Sequence, residues 1–117
     1  MNILGTEYEI KIRSDKEDSL LCNCDGYCDT TVKEITIREI DKEFDSVKDL
    51  KVFQDNVIRH EMIHAFFHES GLRDYELDET LVEFLAIQLP KLAKISEQIT
   101  FCNNNRPDLK GDEVNEN

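Results

Sequence analysis

Positive charge is scarce in this sequence: 14 lysines and arginines stand against 26 aspartates and glutamates, a net charge of −12. Nucleic acid and anionic membrane surfaces both call for a basic patch, so this balance argues against either as a partner. Long apolar runs are missing too, and nothing approaches the ~20 residues of a membrane span. The opening Met1-Asn2-Ile3-Leu4-Gly5 has no basic stretch followed by an apolar core, so no signal peptide is visible and the expected location is cytoplasmic. Without a secretory signal, the four cysteines (Cys22, Cys24, Cys28 and Cys102) are expected to be reduced thiols rather than a disulfide framework. Lesser alternatives for them are a structural metal site and a thiolate that caps a metal.

What the chain does have is His60-Glu61-Met62-Ile63-His64. Histidines four apart on a helix project from one face, one turn above the other, and neutral imidazoles at that spacing can converge on one zinc ion. The glutamate after the first histidine lies about 100° round the helix, where it can take a proton from a zinc-bound water. Val57 and Ile58 precede the motif and Met62, Ile63, Ala65, Phe66 and Phe67 surround it, so this helix should be buried. Buried polar side chains need partners, and a metal is one. The plain alternative is a helix with satisfied core histidines.

A catalytic zinc needs a third protein ligand and an open fourth position. His68 is eight residues beyond His60, about 12 Å further along a straight helix, and is too far to share the ion. Glu79 and Glu83, in Asp78-Glu79-Thr80-Leu81-Val82-Glu83, are four apart and share a face. One can ligate zinc while the other orients a ligating histidine; the plain alternative is a solvated acidic face.

His60-Glu61-x-x-His64 followed by Asp78-Glu79-x-x-x-Glu83 resembles the gluzincin metallopeptidases. The short spacing and small chain are similar to the minigluzincins and to phage-associated ImmA/IrrE-like metallopeptidases. The likeness covers roughly residues 3–100. It implies Zn2+ on His60, His64 and Glu79, with Glu83 behind them, and a small α+β zincin-like fold. In that fold a three-stranded, mostly antiparallel sheet packs on the HExxH helix and a glutamate helix. It also implies a zinc-dependent endopeptidase acting on a protein or peptide, such as a regulator or repressor, with Glu61 as general base. Tyr75 is the candidate second oxyanion donor, with Arg73 and His68 behind it; the plain reading of Tyr75 is a surface aromatic. Asp78 replaces the asparagine often found in larger gluzincins, and no histidine follows His68. The alternative function is a catalytically weak or inactive zinc-binding regulatory module of prophage origin. Oligomeric state is left open.

The 117 residues are expected to form one domain over residues 1–102, with a disordered polar tail over 103–117. Residues 6–13 alternate as a half-buried strand, with Tyr8, Ile10 and Ile12 on the apolar face. Leu20 and Leu21 suggest a short strand. Residues 33–40 suggest another, and by resemblance residues 34–38 would be the edge strand along the cleft. Asp45-Ser46 suggests a cap for a helix from about Val47 to Glu69, closed by Ser70-Gly71. A second helix should begin near Glu76–Asp78, and Pro90 should end or kink it.

Overall fold

The computed structural model describes residues 1–40 and 48–105. The chain divides into two compact units, with the boundary between Ala86 and Ile87. The Asp45-Ser46 cap, Val47 and the 106–117 part of the tail lie outside the described residues.

The first unit begins with a small hairpin, β1 (Asn2–Ile3) and β2 (Thr6–Glu7). Leu4 and Gly5 make its turn with φ of 50° and 91°. Two positive φ values in a row match the twist of the flanking strands, and the glycine takes the larger one without strain. A three-stranded sheet follows in the order β3 (Glu9–Arg13), β5 (Glu34–Arg38), β4 (Gly26–Asp29). It is mixed, not mostly antiparallel: β3 pairs parallel with β5, and β4 pairs antiparallel with it. The long connection from β3 to β5 leaves room for the crossover that parallel pairing needs.

β5 is therefore the central strand, and the expectation that residues 34–38 form the cleft edge is corrected. Being central also explains why Thr36 is buried along with Ile35 and Ile37, where simple alternation would expose it. Leu20 and Leu21 are not a strand; they lie in a 3-10 helix, Ser19–Cys22, whose first turn is capped by Asp18 accepting from the Leu20 N–H. Only part of the 6–13 pattern is buried: Tyr8 is fully so, whereas Ile12 near the end of β3 is exposed.

Helix α1 runs Leu50–Glu69. Asp49 caps it by accepting from the Val52 N–H at 3.1 Å, and Gly71 closes it with φ 78°. Ile63, Ala65 and Phe67 are buried, whereas Phe66, expected inside, is 43% exposed. One face of α1 packs Ala65, with Val57, Ile58 and Met62, against Ile3, Tyr8, Ile35 and Ile37 of the sheet side. Another packs Ile63 and Phe67 against Val82 and Ala86 of α3. A four-residue turn of helix, α2 (Arg73–Glu76), lies between the two long helices.

Helix α3 runs Glu79–Asn104, two residues into the expected tail. Pro90 lies inside it and does not end it. Proline offers no N–H to the carbonyl four residues earlier, which is that of Ala86. The Arg59 guanidinium donates to that oxygen at 3.5 Å, an alternative partner from α1. In the second unit α3 carries Leu92, Ile95 and Ile99, all exposed.

Glu69, the last residue of α1, accepts from Thr6 Oγ1 at 2.9 Å, Tyr8 Oη at 2.6 Å and Lys33 Nζ at 2.8 Å. These bonds join the hairpin and the β5 approach to the end of the helix. They hold the Glu69 carboxyl down at about 2, the Lys33 ammonium contributing most, then the Tyr8 and Thr6 hydroxyls. A lowered carboxylate stabilises the fold above the unfolded value of 4.5 and loses that contribution as pH falls toward 2. Urea midpoints of wild type and Glu69→Gln should differ clearly at pH 6 and converge between pH 4 and 2. A gap that persists unchanged at pH 2 would remove the charge from this account.

Gly26 of β4 lies where the strand meets α1. A Cβ there would sit 3.0 Å from Val57 Cγ1, Ile37 Cδ1 and the Thr36 carbonyl oxygen. Gly26→Ala should therefore cost about 1–3 kcal/mol in chemical denaturation, the range for overpacking.

Candidate metal centre

One row of α1 carries Asn56, His60, His64 and His68 at intervals of four. Asp78 caps the start of α3 by accepting from the Leu81 N–H at 3.0 Å, which puts Glu79 in the first turn, opposite that row. The capping role is one that asparagine would also perform.

The outcome is a three-residue group. His60 Nε2 lies 2.9 Å from Glu79 Oε2, His64 Nε2 lies 3.0 Å from Glu79 Oε1, and the two Nε2 atoms are 3.3 Å apart. The ligand atoms of His60, His64 and Glu79 all fall within 4.8 Å of one another, so this group can hold a metal ion. Among the described residues it is the one such group.

The far side of each ring fixes its tautomer. His64 Nδ1 is 2.7 Å from the Glu76 carbonyl oxygen, which can only accept, so Nδ1 carries the proton and the Nε2 lone pair points inward. His60 Nδ1 is 2.5 Å from Glu83 Oε2, and Asn56 Nδ2 donates to the other Glu83 oxygen at 3.0 Å. Ligating histidines are held in this way, with a carboxylate or carbonyl on the second nitrogen. Burial alone would lower the His60 value, but the Glu83 hydrogen bond and the Glu61 and Glu79 carboxylates outweigh it and the net shift is upward.

Glu61 lines the same cleft, 7% exposed, and has no hydrogen-bond partner among the described residues. Burial raises its carboxyl above the ordinary range; the neighbouring imidazoles oppose the rise, and Glu79 and Glu83 add to it. The cleft has a volume of about 760 Å3. Its opposite wall comes from Cys24 to Cys28, including edge strand β4. The edge beside the cleft is thus β4, not β5.

All four cysteines are free, and two line the cleft. Burial pushes the Cys28 thiol up to about 12, helped by the Glu61 carboxylate, and the same two causes raise Cys24. Without a cation beside them both stay protonated at neutral pH.

Tyr75 is not brought to the cleft: it is 49% exposed and its ring packs beside Phe67 at a centroid distance of 5.8 Å. His68 does not join the group either; its Nδ1 is 3.2 Å from a carboxylate oxygen of Glu76. Asn56 and the Glu76 carbonyl are participants that the motif did not reveal. Asn56 could have been found from its place four residues before His60, whereas a backbone carbonyl has no residue signature.

No family model matches this chain, and neither does a curated protein or a solved structure.

Metal content should follow the geometry. Elemental analysis of protein purified without added metal should give about one ion per chain for the wild type and for His68→Ala, and much less for Glu79→Ala. Glu83→Gln should weaken affinity by about 10- to 100-fold, the range for groups that orient a ligand. Loss of metal in His68→Ala with retention in Glu79→Ala would reverse the ligand assignment.

Proposed function

We propose that the protein is a zinc-dependent endopeptidase. The observation that carries this reading is the pair of inward-facing Nε2 atoms 3.3 Å apart, closed by Glu79 and flanked by a buried, unpartnered Glu61. Zinc–nitrogen bonds of about 2.0–2.1 Å at a tetrahedral angle put two ligand nitrogens about 3.3–3.4 Å apart. Two histidines and a glutamate are, moreover, a donor set used by catalytic zinc in peptidases. Bound there, zinc supplies Lewis acidity, making a water molecule acidic near pH 7 and polarising a peptide carbonyl.

The chain's own groups account for the rest. Glu83 and the Glu76 carbonyl hold the imidazoles in the tautomer that leaves Nε2 free. Glu61 Oε takes the proton from the attacking water and returns it to the nitrogen of the leaving amine. Its burial supports this role, because a carboxylate with a raised pKa and no hydrogen-bond donor satisfying it is a better base than a solvated one. The outer edge of β4, unpaired among the described residues, offers main-chain groups with which an extended peptide can pair beside the cleft. The remaining donor to the developing oxyanion is unassigned, since Tyr75 stands away from the cleft lining.

Glu61→Gln should keep its zinc and lose hydrolysis of a peptide substrate by at least about 100-fold, the lower end for a general base. Hydrolysis at the wild-type rate would remove Glu61 from the mechanism. If the wild type binds zinc but cleaves no member of a broad peptide library, the second reading, a zinc-binding regulatory module, takes its place.

A further inference from the structure

A second cavity of about 490 Å3 lies next to the metal cleft, lined by Thr30, Thr31, His68, Arg73, Glu76 and Leu77. Glu76 and Leu77 line both cavities, so α2 and its following residue are the wall between them. Thr30 and Thr31 directly follow β4, whose residues line the first cavity; from Cys28 to Thr31 the chain spans at most about 11 Å. An extended peptide lying along this edge would reach the second cavity within a few residues of the metal group.

The two cavities differ in charge. The first carries Asp25, Glu61, Glu76, Glu79 and Glu83 and has no lysine or arginine. Arg73 is the one lysine or arginine in the lining of either. It is exposed and has no carboxylate partner among the described residues; Lys16, Lys48, Arg59, Lys91 and Lys94 share that lack, but of these six only Arg73 lines either cavity. Glu76, the acid in the same lining, is otherwise engaged, facing His68 Nδ1 at 3.2 Å. In a chain with nearly two acids for each base, an unpaired guanidinium beside a cavity is a group available to a ligand.

We infer that this second cavity is a subsite for a carboxylate on the substrate, with Arg73 as its counter-ion; the inference rests on the peptidase reading and narrows it. The substrate is a peptide with an aspartate or glutamate, or its own terminal carboxylate, a few residues from the bond that is cut. The first cavity carries five carboxylates and no lysine or arginine, whereas the second sets Arg73 beside the single Glu76, so such a group is favoured in the second, and this fixes the register of the peptide over Glu61. Because Arg73 is solvent-exposed, its contribution is modest: about fivefold in affinity, at the upper end for exposed pairs.

The test uses the full chain as zinc-loaded Glu61→Gln, which holds peptide without turning it over. Fluorescent hexapeptides with one glutamate scanned along the sequence are compared by anisotropy with their glutamine isosteres, each with a free or an amidated C-terminus. Glutamate at one position should bind about fivefold more tightly than glutamine. The preference should vanish in Glu61→Gln/Arg73→Ala, persist in part in Glu61→Gln/Arg73→Lys, and turn toward lysine peptides in Glu61→Gln/Arg73→Glu. A preference that follows the free C-terminus assigns the carboxylate to the peptide end; one that survives amidation assigns it to a side chain. Equal binding of all peptides, no binding at all, or a preference that survives Arg73→Ala overturns the subsite. Hydrolysis by protein with Glu61 intact is followed separately. Preferential binding without hydrolysis keeps the subsite and removes the peptidase reading, whereas hydrolysis without preference does the reverse.

Discussion

Two imidazole nitrogens with their lone pairs aimed at one another across 3.3 Å repel unless a cation or a proton lies between them. Much of the first unit can be understood as what holds that arrangement in place. The Glu76 carbonyl and the Glu83 carboxylate prevent the rings from turning their protonated nitrogens inward. Asn56 in turn fixes Glu83, and the Asp78 cap fixes where α3 begins and so where Glu79 stands. Neither helix could keep this geometry alone, because each holding group comes from the other helix or from the connector between them. Local cost offset by surrounding structure is common at functional sites.

That arrangement requires α1 to be immobile, and the core provides for it from two sides. The sheet packs on one face of the helix and α3 on another, and Glu69 ties its last turn to the hairpin and to Lys33. The motif therefore sits in the one element that both hydrophobic clusters share. A packing defect such as a side chain at position 26 would act on the metal group through this helix, without touching any ligand.

How much of this the sequence reveals depends on how local each feature is. The His60, Glu61 and His64 relationship is set by helical periodicity within one turn, and the Glu79–Glu83 pair by the same rule, so both are readable from residue spacing. Helix existence and the Gly71 stop are local too. Sheet order is not: which strand is central depends on contacts between β3, β4 and β5 that no spacing encodes, and the parallel β3–β5 pairing turned the expected edge into the centre. The apolar pair Leu20-Leu21 suggests a strand, but the preceding Asp18 favours a capped turn. Pro90 suggests a helix end because the rule is local, while its compensation by Arg59 comes from another helix. Tyr75 has only its place in the connector to recommend it, and the direction of a side chain in a connector is settled by what it packs on, here Phe67.

Glu76 has two tasks carried by different parts of one residue. Its main-chain oxygen orients His64, while its side chain faces His68 and the second cavity. Any amino acid at this position would supply the same carbonyl, so the orienting task is indifferent to mutation of the side chain. The chemistry of the neighbouring cavity is then free to drift at this position during evolution while the metal geometry stays put. A scaffold with that separation can change what it recognises without first losing what it binds.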